Sequence, residues 1–462
     1  MRKFFSFISL ILLSFLMSCS DESPQSSTAT SKIRLLVLNP GHFHAALVQK
    51  TMYPEIDSLV YVYGEEGSDL EMHLKRIEGY NTRQENPTHW KQEVYTQRDF
   101  LEKMLAEKKG NVVVLAGNNQ KKTDYILASL ENGLHVFADK PMAIDEEGFE
   151  KLKKAFAVAE KNKVLLYDIM TERYEITSIL QKELSMFPEI FGTLEKGSPE
   201  NPAVVKESVH HFYKYVSGNV LTRPAWFLDV SQQGEGIVDV TTHLVDLVQW
   251  ACFPEQALNY TTDIQIHAAK RWATDMSISD FKTITKLEAF PDYLLRYVEK
   301  DTLLKVFCNG EINYALKGVH AKVKVIWNYK APEGTGDTHY SIMRGSKANL
   351  VIRQGAEENY IPTLYIEPSA PNSTEESILI EKIKELAKKY QDISIEKSAQ
   401  GWKVTIPEAL RESHEAHFAR VTEKFLSFLK EGKLPSWEVP NMLAKYYTTT
   451  QALKLAKENS SF

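Results

Sequence analysis

Between residues 32 and 168, short apolar runs alternate with amphipathic stretches, and that alternation restricts the fold of this chain more than any other feature. The runs "KIRLLVL", "SLVYVYG", "NVVVLAG", "LHVFADK" and "KVLLYDI" are almost continuously apolar, so a strand built from any of them has no face suited to water. Between them, "DLEMHLKRIEGY", "RDFLEKMLAEK", "TDYILASLENG" and "DEEGFEKLKKAFAVAEKN" repeat apolar residues at helical spacing. Strands covered on both faces by helices predict an α/β fold, with a doubly wound parallel sheet over 33–168. The character changes near residue 170. "ISDFKTITKLEAF", "YLLRYVEKDTLLKVFCNG", "AKVKVIWNY", "THYSIMRG" and "ANLVIRQG" alternate apolar with polar residues between Gly, Pro and Asn turns. That pattern predicts an open, mainly antiparallel sheet with one wet face. "SWEVPNMLAKYYTTTQALKLAKE" closes the chain as a helix over about 437–458, so the second domain, 169–462, is expected to be α+β.

The first residues stand apart from both domains. "MRKFF" supplies two positive charges, and "FFSFISLILLSFLM" is apolar but too short to span a bilayer. It ends in "LMSC", which resembles a bacterial lipobox, so residues 1–18 are expected to be a signal peptide and Cys19 the lipidated first residue of the mature chain. The polar stretch to residue 32 reads as a flexible tether. An exported lipoprotein is the expectation, held by its lipid on the periplasmic or cell-surface side of a bacterial envelope membrane. Beyond Cys19 only Cys252 and Cys308 remain, too few for a disulfide framework, and both are expected to be free and buried. A net charge of −6 without a Lys/Arg block argues against nucleic acid as a partner.

Three segments carry residues suited to chemistry. "LLVLNPGHFHAAL" places a tight turn between a strand and a helix start, where a dinucleotide-binding turn reads G-x-G-x-x-G; the three glycine slots here hold Asn39, Gly41 and His44. Gly41 fills the slot for close approach to a pyrophosphate, Asn39 tolerates the left-handed conformation, and His44 is the serious departure. Helix-start amides could still meet an anion, with a histidine (His42 or His44) as a further donor. Glu65 follows the second strand at the spacing of a ribose-binding acid. "VFADKPMAI" sets Lys140 and Pro141 at the carboxyl edge of the sheet. "GEGIVDVTTHLVDLVQW" sets Asp239 and His243 four residues apart on one helical face, with Asp246 three further on. His42 and His44 could be metal ligands together with His210 and His211, but nothing in the spacing fixes their geometry, and no metal is expected. His339, in "APEGTGDTHY", reads as part of a glycine turn between strands.

Together these motifs resemble the Gfo/Idh/MocA oxidoreductases, the family of glucose-fructose oxidoreductase and inositol dehydrogenase. There a strand ends in E-K-P, and a later G-G-G-x-x-x-D-x-G-x-H-x-x-D segment supplies an aspartate and a histidine. Lys140, Pro141, Gly234, Asp239, His243 and Asp246 match. Asp139 replaces the glutamate, Gln233 and Glu235 replace the outer glycines, and Thr241 the later one. The resemblance implies a Rossmann-like first domain that binds NAD or NADP, with Asn39, Gly41, His42, His44, Glu65, Asn118, Asn119, Lys140 and Pro141 about the cofactor. It implies hydride transfer between NAD(P) and a hydroxyl-bearing carbon of a sugar or polyol, with His243 as base, Asp239 orienting the imidazole, and Lys140 donating to the substrate oxygen or holding the nicotinamide ribose. His210, His211, Lys214 and Asp246 would face the carbohydrate, and copies of the chain could associate. Outside the cytoplasm no nicotinamide pool is maintained, so the cofactor would be tightly held. Three functions follow: net oxidation, a redox-neutral glycosidase or epimerase that oxidises its sugar transiently, and non-catalytic glycan binding.

Overall fold

In chain order the first sheet alternates β1 (Leu35–Leu38), α1 (His44–Leu47), β2 (Leu59–Tyr63), α2 (Ser68–Thr82), β3 (Lys91–Tyr95), α3 (Phe100–Glu107), β4 (Val112–Leu115), α4 (Lys122–Glu131), β5 (His135–Asp139), α5 (Glu146–Asn162) and β6 (Leu166–Ile169). The computed structural model describes residues 32–216, 219–371 and 375–459, so Cys19 and the tether lie outside the described residues. The strand order is β3-β2-β1-β4-β5-β6, and every pairing is parallel. This doubly wound order reverses between β1 and β4, which opens a crevice at their carboxyl ends. The expected apolar strands are fully buried in β1, β4 and β6. β3 is polar and half-exposed because it is the edge. α5 starts where Asp145 caps the Gly148 amide, with Glu146 and Glu147 in the first turn to complement the helix dipole.

The rest of the chain contributes α6 (Ile176–Ser185), β7 (Val204–Tyr213), the small hairpin β8 (Tyr215–Val216) and β9 (Asn219–Val220), α7 (Val230–Gln233) and α8 (Thr241–Cys252). It continues through β10 (Ile264–Ser277), α9 (Ile278–Thr285), β11 (Val298–Glu299), β12 (Leu303–Leu316), β13 (Val319–Lys330), β14 (Thr338–Arg344), β15 (Ala348–Arg353) and β16 (Thr363–Pro368). It ends with α10 (Glu376–Leu386), β17 (Ser394–Ser398), β18 (Gly401–Thr405), α11 (His414–Glu431) and α12 (Glu438–Asn459). The second sheet runs β10-β12-β13-β7-β14-β15-β16-β18-β17, antiparallel except where β13 meets β7. This is the open, mainly antiparallel sheet that the alternating pattern predicts.

Three local expectations fail. The opening of "YLLRYVEKDTLLKVFCNG" belongs to a 3-10 helix, Asp292–Tyr297, and not to a strand. "ISDFKTIT" is α9, not a strand: the Ser277 hydroxyl accepts from the Asp280 amide, a cap that starts a helix despite the β-like alternation. The helix expected after the first turn is a single short turn, α1. Cys252 and Cys308 are both free; Cys308 is buried and Cys252 half-buried. Among the described residues no helix is long and apolar enough to cross a membrane.

The closing helices return to the first sheet. Phe425 of α11 stacks on Phe137 of β5 with ring centroids 4.7 Å apart. Phe418 and Phe428 of the same helix join that core. Tyr446 of α12 donates to Asp168 on β6 at 3.0 Å. The cleft at the carboxyl edge of the parallel sheet is therefore walled by segments from both halves of the chain.

Candidate active site

β5 delivers Lys140 to the sheet edge, and its ammonium lies 2.6 Å from Asp239 Oδ1. Burial would depress the Lys140 pKa, but the Asp239 and Asp139 carboxylates outweigh it and hold the group above the ordinary lysine value. Asp239 stands just before α8, on a turn set by Gly236. A Cβ at residue 236 would fall 1.7 Å from the Cys308 carbonyl oxygen, so β12 and this turn can approach only through glycine. Gln233 Nε2 donates to Asp239 Oδ2 at 3.1 Å. Asp239 therefore serves Lys140 and Gln233, which corrects the expectation that it orients His243. An ammonium is charged at every working pH and is a stronger partner for a carboxylate than a neutral imidazole. His243 Nδ1 has no hydrogen-bond partner among the described residues. Burial, and after it the Lys140 charge, lower the His243 pKa to about 4, so the imidazole is unprotonated at neutral pH.

Opposite this group, three expected substrate residues meet at one carboxylate. His210 Nδ1, His211 Nδ1 and Lys214 Nζ lie 3.3, 3.1 and 3.0 Å from Asp337. Against the effect of burial, His210 and Lys214 hold the Asp337 carboxyl well below the usual range. All of these groups except His211 line a single cavity of about 490 Å³, the size of a ligand cleft. Seven of the thirteen histidines line it: His42, His44, His210, His243, His339, His414 and His417. His339 thus belongs to the cavity wall as well as to its turn.

The opening turn behaves only partly as expected. Asn39 adopts the left-handed conformation, φ +47°. The Gly41 and His42 amides, however, both point at the Ala116 carbonyl, 3.2 Å away, and not at open space. The segment Ala225–Leu228 lies across Gly41 as a strap: a Cβ there would meet Asp69 Oδ2 at 2.9 Å and the Trp226 ring at 3.2 Å. Trp226 Nε1 donates to Asp69 at 2.6 Å, and Phe227 stacks on His42. The void left between Gly41, Arg76 and Phe227 is about 10 Å³, room for no more than a water. His44 does not wedge helix from strand; its Nδ1 pairs with Asp139 Oδ2 at 2.9 Å.

Eight expected residues are not on the cavity lining: Asn39, Gly41, Glu65, Asn118, Asn119, Pro141, His211 and Asp246. Asp246 is not a substrate contact: Arg173 grips it with two bonds of 2.7 Å and Lys445 with one of 2.8 Å, behind the wall. The α8 face that carries His243 toward the cavity turns Asp246 away from it. Asn118 Nδ2 donates to Gln232 Oε1 at 2.6 Å, and the Asn119 amide donates to the Gln232 carbonyl at 2.9 Å, so both asparagines tie α7 to the first sheet. Glu65 is exposed beside the turn, its amide 3.5 Å from Asn39 Oδ1. Conversely, the cavity includes Glu172, Arg223 and His414, which sequence reasoning missed. Arg223 stands in "TRPAW", three residues before the tryptophan that packs on Gly41. It is 4% exposed, bonds the Phe212 and His211 carbonyls, and has no carboxylate at ion-pair distance among the described residues.

Comparison with known proteins decides the family. Residues 180–457 match the family model "Putative oxidoreductase C terminal domain", and residues 73–168 match "Oxidoreductase family, NAD-binding Rossmann fold". A solved "putative oxidoreductase" from Parabacteroides merdae is 57% identical, covers 93% of this chain and 98% of its own, and superposes with a TM-score of 0.91. The chain belongs to the Gfo/Idh/MocA oxidoreductase family. Membership makes it an NAD(P)-dependent oxidoreductase. More distant solved structures share its fold. One from Thermotoga maritima, at 15% identity, covers 92% of this chain and 98% of its own with a TM-score of 0.57. Levoglucosan dehydrogenase, solved with NADH and levoglucosan, does so at 11% identity over 92% and 98%, with a TM-score of 0.58. No curated protein matches.

For this family member the fit of a dinucleotide is uneven along its length. Lys140, His243 and the 490 Å³ cavity fit a nicotinamide end with a small substrate. At the pyrophosphate end, the Trp226 ring and Asp69 crowd Gly41, so the turn as it stands offers a phosphate little room.

Proposed function

We propose that this oxidoreductase acts on a hydroxyl-bearing carbon of a carbohydrate, with the nucleotide tightly held. The observation that carries the reading is the convergence of Lys140, Asp239 and the unpaired, unprotonated His243 on one cavity. Bound NAD(P) supplies the hydride acceptor. His243 accepts the hydroxyl proton, and its low pKa keeps that lone pair available across the neutral range. Lys140, kept protonated by Asp239, donates to the same substrate oxygen and stabilises negative charge as it develops there. His210, Lys214 and Asp337 on the far wall, and the Arg223 guanidinium, suit the remaining hydroxyls of a sugar. Exclusion of bulk water by the two walls strengthens each of these interactions.

A second reading, redox-neutral turnover through a transiently oxidised sugar, is favoured by the strap. A segment closed over Gly41 slows nucleotide exchange, which suits an enzyme that returns its hydride before releasing product. We further propose that residues 1–18 are an export signal and that Cys19 anchors the chain as a lipoprotein, which suits the same economy in a compartment without a nicotinamide pool.

The test is to incubate the protein with free sugars and with aryl glycosides while recording nucleotide absorbance. Persistent reduced nucleotide with free sugars supports net oxidation. Aglycone release without net reduction supports the redox-neutral reading. Lys140→Ala and His243→Ala should each lower turnover by about 10²- to 10⁴-fold with the fold intact. Unchanged rates in both variants would remove this site from the chemistry.

A further inference from the structure

The turn histidines and the last residue of β5 form a cluster that the hydride-transfer reading leaves unused. His44 Nδ1 lies 2.9 Å from Asp139 Oδ2, and His42 Nδ1 lies 3.7 Å from the same oxygen. One ligand atom from each of the three residues falls within 4.8 Å of the other two. We infer that His42, His44 and Asp139 form a binding site for a divalent first-row transition cation, open on one side to the main cavity.

The spacing suits such an ion. Ligand atoms around a four-coordinate zinc stand about 3.3 Å apart, and the two distances to Asp139 bracket that value. The donor set is two imidazoles and one carboxylate, which selects zinc, iron, cobalt or manganese over calcium and magnesium, cations that prefer all-oxygen shells. Burial holds both imidazoles well below the ordinary histidine pKa, so neither needs to lose a proton from the charged form before ligating. His42 and His44 line the cavity while Asp139, 4% exposed, stands behind them. Three protein ligands on one side of an ion leave a fourth position facing the cavity, the pattern of a site that takes water or a substrate oxygen.

The surroundings hold the ligands in place. Lys122 Nζ donates to the Asp139 carbonyl at 2.9 Å and pins the strand end. The cations that face the cluster are Lys140, Arg223 and Lys214; Asp239 offsets the first from 2.6 Å and Asp337 the last from 3.0 Å. Without an ion, His44 Nδ1 is hydrogen-bonded to Asp139 Oδ2, and the His44 amide donates to His42 Nδ1 across 3.4 Å. An ion replaces both contacts, with the His44 proton moving to Nε2. His44 occupies the third glycine slot and Asp139 the strand-end acid position, so two departures from the family pattern are what assemble the cluster.

The test uses the full chain, stripped with a chelator and dialysed against Zn²⁺ or Co²⁺. One ion per chain is expected by elemental analysis, with the visible d–d absorption of four-coordinate cobalt. His42→Ala and Asp139→Asn should each weaken Zn²⁺ binding by more than the about 10- to 100-fold typical of losing an outer-shell partner. His89→Ala, at an exposed histidine, should leave it unchanged. Asp139→Asn preserves size and decides the matter if His42→Ala fails to fold, and the wild-type stoichiometry stands without either variant. Wild-type protein that retains neither ion, or variants that bind Zn²⁺ as it does, would overturn the assignment. Nucleotide binding, titrated separately, reports on the hydride-transfer reading independently.

Discussion

His243 owes its readiness as a base to two neighbours of different kinds: packed side chains that withhold water, and an ammonium that makes a second positive charge unwelcome. The two contributions separate by experiment. In Lys140→Met the buried imidazole keeps its desolvation but loses the repelling charge, so its pKa should rise from about 4 toward, but not reach, the ordinary value. An NMR titration, with the resonance assigned through His243→Gln, reads this directly; a pKa that falls or stays put would show that Lys140 does not act on it. Lys140, Asp239 and His243 were legible in the sequence because their spacing is fixed by one strand end and one helix. The pairing among them was not, since spacing alone cannot say which of two bases an aspartate prefers. Asp246 shows the other limit: a residue three positions beyond a site histidine can face away from the cavity when a buried arginine lies behind the helix.

At the level of elements, the alternation of buried strands and amphipathic helices made the parallel sheet readable almost throughout. β3 escaped because an edge strand needs no apolar run, and α9 was mistaken because a single serine cap outweighed the local alternation. Gly236 and the strap illustrate how elements meet. Gly236→Ala has no escape, since the added carbon would meet the backbone of β12 and not a movable side chain. It should lower the unfolding free energy by about 2 kcal/mol or more and reduce activity by displacing Asp239, as chemical denaturation and rate measurements would show. The strap makes the opposite prediction. If Trp226 competes with the nucleotide for Gly41, Trp226→Ala raises the fraction of open chains and should tighten nucleotide binding several-fold in a direct titration. Weaker binding would mean that the indole holds the nucleotide instead of excluding it.

Across the whole molecule, the two halves are joined by buried charge. Asp246, Arg173, Glu438, Lys445 and Asp168 form a connected set between α8, α12 and β6. Despite its burial, Asp246 is held far below the usual carboxylate pKa by Arg173 and Lys445. A depressed carboxylate stabilises the fold above its unfolded pKa of about 4, and that stability is lost as the pH falls below it. Asp246→Ala should cost about 3–5 kcal/mol at neutral pH, because two buried cations each lose one of their two carboxylate partners, and the deficit against wild type should shrink on acidification. Thermal unfolding between neutral and acidic pH tests both statements; a pH-independent deficit would contradict the second.

The stacking of Phe425 on Phe137 has a further bearing on how such a chain comes into being. The parallel sheet is synthesised first, yet one of its faces stays uncovered until a helix encoded near the carboxyl terminus arrives. A fragment ending after β6 should therefore lack a cooperative melting transition of its own. Delayed closure of the first core leaves the leading half of the chain pliable until the trailing half has been made.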